Sequence, residues 1–121
     1  MTATARLSPP NSLLLVLDPA SGVLPETLGG ASIVASTSGL AVVTLAEFDG
    51  ETELTIARFG AAPSDPSLTL RWEGALETSG RIAVLTIYND VVIESGAPPI
   101  AYVQVWTNDP DEPDVIWVAI A

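Results

Sequence analysis

The feature that most constrains this chain is a period-two alternation of apolar side chains, which recurs in several segments. In segment 81–88, for example, Ile82 and Val84 point to one face while Ala83 and Leu85 point to the other. This spacing is typical of a β-strand with a buried face, whereas a helix repeats its apolar positions about every 3.6 residues. The alternating segments are 52–59, 68–72, 81–88, 100–107 and 115–120. No long segment shows helical periodicity without a breaker, so the sequence predicts an all-β fold.

Turn residues separate these segments at intervals of about 8–12 residues, the spacing of a β-sandwich or barrel. Asp49-Gly50, between two strand-like segments, predicts a hairpin. Further turns are expected at 78–80 and 88–90, and proline-rich loops at 95–99 and 108–113. We therefore expect an antiparallel β-sandwich of about eight or nine strands. Residues 1–11 are predicted to form a flexible N-terminal segment, and residues 12–121 a single β-sandwich domain.

The longest early apolar segment, Leu13 to Leu17, is too short for a signal peptide or a membrane-spanning helix. A buried strand explains it better. The chain has 121 residues and no cysteine, which fits one domain without disulfides. We expect a cytoplasmic protein.

The charge balance is strongly acidic. There are 15 carboxylates against four arginines, with no lysine, and the net charge is −11. Such a chain repels nucleic-acid phosphates and anionic membranes, so neither is expected as a partner. It favours a basic protein partner, because complementary fields speed association. The alternative is that the acidity only keeps an apolar-rich domain in solution.

Most catalytic chemistry is excluded by composition. Without histidine, cysteine or lysine there is no common general base near neutral pH, no thiolate and no Schiff-base amine. Paired carboxylates could hydrolyse glycosides or hold Mg²⁺, but 15 acids make some close pairs expected by chance. We therefore predict a protein that is not an enzyme and carries no cofactor.

An acidic loop precedes the last predicted strand, with four carboxylates within six residues: Asp109, Asp111, Glu112 and Asp114. A solvated loop is the first interpretation, a contact patch for basic residues of a partner the second, and a Ca²⁺ site the third. The loop lacks the glycine and the distal glutamate of an EF-hand, and two prolines restrict its curvature. We predict no metal site.

The aromatic residues are Phe48, Phe59, Trp72, Tyr88, Tyr102, Trp106 and Trp117, and most are expected in the core. Tyr102, Gln104 and Trp106 share one face of their strand, opposite Val103 and Val105. If the valine face is the core, Tyr102 and Trp106 lie outward beside the acidic loop and form a binding hot spot. The opposite orientation buries Trp106. The candidate partner-binding residues are Tyr102, Trp106, Asp109, Asp111, Glu112 and Asp114.

The order of the predicted strands and turns along the chain is also informative about the class of protein. An early strand ends in Asp18, and a strand–glycine turn–strand unit spans 39–59 before a proline. A Ser79-Gly80-Arg81 hairpin, a Tyr102-Val103-Gln104-Val105 strand, and an acidic loop with an aliphatic C-terminal strand follow. This order resembles the competence protein J family of small bacterial β-sandwiches, whose best-known member inhibits a competence nuclease. The chain departs from that pattern at Gln104 and Trp106, where many members carry arginines, and it lacks their C-terminal Trp-Pro.

The resemblance implies a non-catalytic protein that blocks a partner. The sequence thus predicts an acidic protein-binding domain, of the inhibitor or immunity type, that acts on a basic partner such as a nuclease or toxin. The alternative is a self-associating structural or assembly module, such as a phage or shell component, because a high apolar content suits an obligate interface. A homo-oligomer is compatible with both, and a sandwich that binds a carbohydrate through Tyr102 and Trp106 is a third candidate.

Overall fold

The computed structural model describes residues 2–25, 31–58 and 63–121. The described residues form ten β-strands and a short 3₁₀ turn, Pro10–Ser12, so the all-β prediction is confirmed. The strands are β1 (Thr2–Leu7), β2 (Leu13–Leu17), β3 (Ile33–Ala35), β4 (Gly39–Val43), β5 (Thr52–Arg58), β6 (Thr69–Glu77), β7 (Arg81–Leu85), β8 (Val91–Gly96), β9 (Ile100–Thr107) and β10 (Val115–Ile120). Within those ranges, no helix has the length and apolar character needed to cross a bilayer.

The strands form two five-stranded sheets. Sheet 1 has the order β1-β5-β10-β9-β6, and sheet 2 the order β3-β4-β2-β7-β8. Neighbouring strands run antiparallel except β5 and β10, which are parallel over six residue pairs, from Val115 opposite Glu53 to Ile120 opposite Arg58. The predicted β-sandwich is therefore confirmed, with a parallel pair inside sheet 1.

The core lies between the inner faces of the two sheets. Leu14 and Val16 of β2 and Val103 and Val105 of β9 are at most 1% exposed there. Burying side chains of this size contributes about 1.5–3 kcal/mol each. The other face of β2 is also covered, because its outward leucines join a second buried cluster made of Leu15, Leu17, Ala41, Ala83 and Leu85. Burial on both faces explains why β2 is uniformly apolar instead of alternating.

The expected number was about eight or nine strands, and the described residues form ten; β1, β3 and β8 are not among the segments named from the sequence. All three are edge strands. β1 is mostly exposed and β3 has only three residues, so neither shows a clear alternation of buried apolar side chains. β1 pairs with β5 along its whole length, from Thr2 opposite Ala57 to Leu7 opposite Thr52. Residues 2–7 thus belong to the sandwich, whereas the sequence prediction had left residues 1–11 outside it.

The hairpin predicted at Asp49-Gly50 is wrong. The turn exists, and Gly50 adopts a φ of 146°, but it joins β4 of sheet 2 to β5 of sheet 1. The turn at Ser79-Gly80 likewise carries the chain from β6 in sheet 1 to β7 in sheet 2. Turn residues determine the local backbone, whereas the packing of the apolar faces decides which sheet the next strand joins. Of the segment predicted as 52–59, residues Thr52–Arg58 form β5, and Phe59 lies outside the described residues.

Asp18 ties the end of β2 to the turn between β6 and β7. Its side chain is fully buried. Its Oδ2 accepts hydrogen bonds from the Ser79 amide at 2.6 Å and the Ser79 hydroxyl at 2.5 Å, and its Oδ1 accepts one from the Ala20 amide at 2.8 Å. The bond from the Ser79 hydroxyl, with those from the amides, holds the pKa of Asp18 well below its usual value although burial acts in the opposite direction.

We expect Asp18→Asn to destabilise the protein at pH 7 by about 2–3 kcal/mol, because the buried donors of Ser79 and Ala20 keep one neutral acceptor oxygen in place of two charged ones. A lowered folded-state pKa contributes stability above the unfolded value of about 3.9, and this contribution is lost as the pH falls toward the folded value. The difference between the wild type and Asp18→Asn should therefore shrink below about pH 4. Urea unfolding at pH 7 and pH 3 measures this, with the exposed Asp90→Asn as control. A difference that stays constant with pH would contradict the assignment.

Candidate functional site

One end of the sandwich includes the loops 8–12, 44–51, 86–90 and 108–114. Strand registers place them there, since Leu13 of β2 lies opposite Val43 of β4, and Ile116 of β10 lies opposite Thr107 of β9. Backbone hydrogen bonds join the loops, from the Thr44 amide to the Ser12 carbonyl and from the Leu45 amide to the Pro113 carbonyl. We call this set of loops the acidic end.

Eight carboxylates lie on these loops: Glu47, Asp49, Glu51, Asp90, Asp109, Asp111, Glu112 and Asp114. All are exposed except the half-buried Glu47. Two of the four arginines, Arg58 and Arg81, lie at the opposite end of the sandwich. Arg71 lies at the acidic end, near Asp109. Arg6 lies near the acidic end but pairs with Glu53 at 3.5 Å. The charge of the described residues is therefore unevenly distributed, with the negative charge concentrated at one end.

The acidic loop is closed by two of its own side chains. Asn108 Oδ1 accepts hydrogen bonds from the amides of Asp114 at 3.2 Å and Val115 at 3.1 Å, and Asn108 Nδ2 donates to Asp114 Oδ1 at 2.6 Å. Asp109 Oδ1 accepts from the amides of Asp111 and Glu112, both at 2.9 Å. These two amides, with the nearby positive charge of Arg71, lower the pKa of Asp109.

The bonds inside the loop leave the side chains of Asp111 and Glu112 projecting into solvent. Among residues 2–25, 31–58 and 63–121, no three acidic side chains come together as metal ligands. The loop is thus a fixed backbone that presents negative charge outward.

β9 settles the orientation that the sequence left open. Val103 and Val105 face the core, so Tyr102, Gln104 and Trp106 lie on the outer face of sheet 1. Trp106 lies one residue before the end of β9, close to the acidic loop, and its Nε1 donates to Gln104 Oε1 at 3.3 Å. Tyr102 lies four residues away, about 13 Å along the strand. Its hydrogen bond to Glu73 raises its pKa. The fold therefore places Trp106, but not Tyr102, beside the four loop carboxylates.

Two aromatic side chains that the sequence assigned to the core lie on the loops of the acidic end. Phe48 is 93% exposed and Tyr88 is 68% exposed. None of the described aromatic side chains is fully buried, so the expectation of an aromatic core is wrong. Phe48 directly precedes Asp49-Gly50 and Tyr88 precedes Asn89-Asp90. This position next to turn residues was the signal that could have indicated exposure.

The chain was compared with known proteins. No protein-family model matches it, and no curated protein sequence matches it. Among solved structures it is similar to the crystal structure of ComJ from Bacillus subtilis, an inhibitor of the DNA degrading activity of NucA. The TM-score is 0.68 and the identity 12%, over 98% of this chain and 93% of that one. At this identity the likeness shows the fold, and it supports the weak resemblance that the order of segments indicated.

We expect Asn108→Ala to loosen the acidic loop, because the amides of Asp114 and Val115 lose their acceptor. Hydrogen exchange at these two amides should become about tenfold faster, and the free energy of unfolding should fall by about 1 kcal/mol. Hydrogen–deuterium exchange measured by NMR reports both residues. Asp111→Asn, whose side chain makes no hydrogen bond within the described residues, is the control. Unchanged protection in Asn108→Ala would show that the side chain does not hold the loop.

Proposed function

We propose that this chain is a non-catalytic protein-binding domain of the inhibitor or immunity type, which docks its acidic end onto a basic partner such as a nuclease or toxin. The observation that carries the proposal is the concentration of eight carboxylates and two exposed aromatic side chains on one end of the sandwich. The likeness in fold to an inhibitor of a DNA-degrading activity supports the same class of function.

The proposal has a physical basis in how nucleases bind their substrate. A groove that binds nucleic acid is basic, because it must neutralise phosphates. Carboxylates on fixed loops present the same sign of charge to that groove, and complementary fields accelerate association. The net charge of −11 disfavours direct binding to nucleic acid or to an anionic membrane.

The exposed aromatic side chains supply contacts that slow dissociation of a bound partner, which charge alone does not. Charged residues at the solvent-exposed edge of an interface mainly set the association rate. Large side chains that fill a pocket of the partner slow dissociation. Phe48 and Tyr88 lie on different loops of the acidic end. Phe48 lies between two carboxylates, Glu47 and Asp49, and Tyr88 lies two residues before Asp90. We assign them the role of anchors and the surrounding carboxylates the role of steering the partner.

Composition favours binding over catalysis. The chain contains no histidine, cysteine or lysine. Asp109 accepts two backbone amides of its own loop, so its bonded oxygen serves the loop structure. Asp114 likewise accepts a hydrogen bond from Asn108, whereas Asp111 and Glu112 are exposed and make no side-chain hydrogen bond within the described residues. We therefore infer that the acidic end recognises a surface instead of transforming a substrate.

A pair of charge variants tests which end of the sandwich binds. The first combines Asp49→Asn, Asp111→Asn and Glu112→Gln at the acidic end. The second combines Glu73→Gln, Glu77→Gln and Glu94→Gln, all on strands, and changes the net charge by the same amount. We expect the first to slow association with a basic partner, captured from an extract of the native host, about tenfold at low ionic strength. The second should slow it by less than about twofold. Equal effects in stopped-flow measurements would assign the role to the overall charge and not to the acidic end.

We expect Phe48→Ala to leave folding stability unchanged, because the side chain is 93% exposed. It should speed dissociation of the captured partner by about 10- to 30-fold, the effect of losing an aromatic anchor. Surface plasmon resonance measures the rate. Ile100→Ala is the matched control, because Ile100 is 68% exposed and begins β9 at the opposite end of the sandwich. An unchanged dissociation rate would remove Phe48 from the interface.

A pull-down identifies the partner. An extract of the native host is passed over the immobilised chain at low ionic strength, and the retained proteins are eluted with salt. We expect a basic protein in the eluate, and its nuclease or toxic activity should fall when free chain is added. Failure to retain any basic protein at low salt, where charged contacts are strongest, would contradict the proposal. A stable oligomer of the chain alone, measured as its molar mass in light scattering, would favour the assembly alternative.

A further inference from the structure

A cavity of about 300 Å³ opens between the two sheets, at the side where edge strands β3 and β6 face each other next to the acidic loop. This volume is at the small end of the range for small-molecule sites. Ile33 and Val42 of sheet 2 and Trp72 of sheet 1 supply apolar walls, and Pro110 and Pro113 of the acidic loop close one side. The cavity is therefore suited to one small, largely apolar group.

A β-bulge shapes the wall that β6 contributes. The register of β6 against β9 shifts between Leu70 and Trp72, which leaves Arg71 as the extra residue. Bulges of this kind redirect side chains and are common beside binding sites. Gly74 leaves room for the Trp72 ring, because a Cβ at position 74 would lie 2.9 Å from that ring.

Arg71 is held in place at the cavity by one of its nitrogens. Its Nε donates to Thr107 Oγ1 at 3.1 Å, and the buried Thr107 hydroxyl donates to the Asp109 carbonyl at 2.9 Å. Within the described residues, the two terminal guanidinium nitrogens of Arg71 have neither a hydrogen-bond partner nor an ion pair. A fixed guanidinium with free terminal nitrogens is a geometry that binds a carboxylate through two parallel hydrogen bonds.

Asp109 also lines the cavity, and one of its carboxylate oxygens has no hydrogen-bond partner within the described residues. Its Oδ1 accepts the amides of Asp111 and Glu112, while Oδ2 has no partner among the residues that the structure describes. Arg71 and Asp109 do not form an ion pair with each other, although the arginine lies near enough to lower the pKa of the carboxyl. The cavity thus presents one fixed cation and one fixed anion beside an apolar interior.

We propose that this cavity binds a free α-amino acid with a large apolar side chain. The carboxylate of the ligand pairs with Arg71, its ammonium with Asp109 Oδ2, and its side chain lies against Trp72, Ile33 and Val42. A zwitterion fits best because it pairs with both Arg71 and Asp109, whereas a simple anion leaves Asp109 unpaired and a simple cation leaves Arg71 unpaired. This binding activity is separate from the docking of a protein at the acidic end.

Titration with four small probes tests the proposal on the whole chain without any partner. The probes are L-phenylalanine, 3-phenylpropionate, 2-phenylethylamine and glycine, and the readout is the NMR shift of the Trp72 indole and of the β6 amides. We expect saturable binding of L-phenylalanine, with each of the other probes at least about tenfold weaker, since each lacks one of the three contacts. Equal or tighter binding of 3-phenylpropionate or 2-phenylethylamine, or no shift with L-phenylalanine, would overturn the proposal.

Two variants separate the charged contacts. Arg71→Gln should weaken L-phenylalanine about tenfold and leave 2-phenylethylamine unchanged or tighter. Asp109→Asn keeps the Oδ1 acceptor of the loop, and should weaken L-phenylalanine about tenfold while leaving 3-phenylpropionate unchanged or tighter. Arg81→Gln, at the opposite end of the sandwich, is the control and should change none of them. If both variants affect all probes alike, the charges do not act as assigned.

Discussion

The closing of two sheets over one apolar interior is the constraint on which the other features of this protein depend. Once Val103 and Val105 of β9 face the core, every second side chain of that strand must face outward. A shift of one residue would exchange the two faces and bury Trp106 together with Gln104. The same alternation in β10 buries Ile116 and Val118 and leaves Trp117 on the outer face of sheet 1. The residues that pack into the core thus decide which side chains are presented on the outer face of sheet 1.

The acidic residues serve two physically different purposes. Asp18 is buried and Asp109 is held by two amides of its loop, and in both the pKa is lowered chiefly by donated hydrogen bonds. Each of these two carboxylates holds nearby backbone amides in place by accepting their hydrogen bonds. Asp111 and Glu112 accept no hydrogen bond within the described residues and simply add charge to the acidic end. A count of carboxylates does not distinguish the two groups, because only the number of donors around each oxygen separates them.

The acidic end and the cavity meet at the acidic loop. Pro110 and Pro113 of that loop close the cavity, and Asp109 contributes to the cavity while its neighbours Asp111 and Glu112 face solvent. One short segment, held closed by Asn108, therefore serves both surfaces. Its fixed backbone matters for each, because a binding group that is already ordered loses less conformational entropy on association.

The sequence by itself determined the fold class and the central strands. Alternation predicted β9 and β10 with their observed ends, and the apolar segment before Asp18 predicted β2, because the period of buried side chains is a local property. It also fixed the net charge and the loop that carries four acids. Only the tertiary structure decided that the turns at Asp49-Gly50 and Ser79-Gly80 cross between sheets and that β1 joins an edge. It also formed the cavity beside Arg71. These features arise from contacts between segments far apart in the chain, and no local pattern records which distant face a strand or side chain will meet.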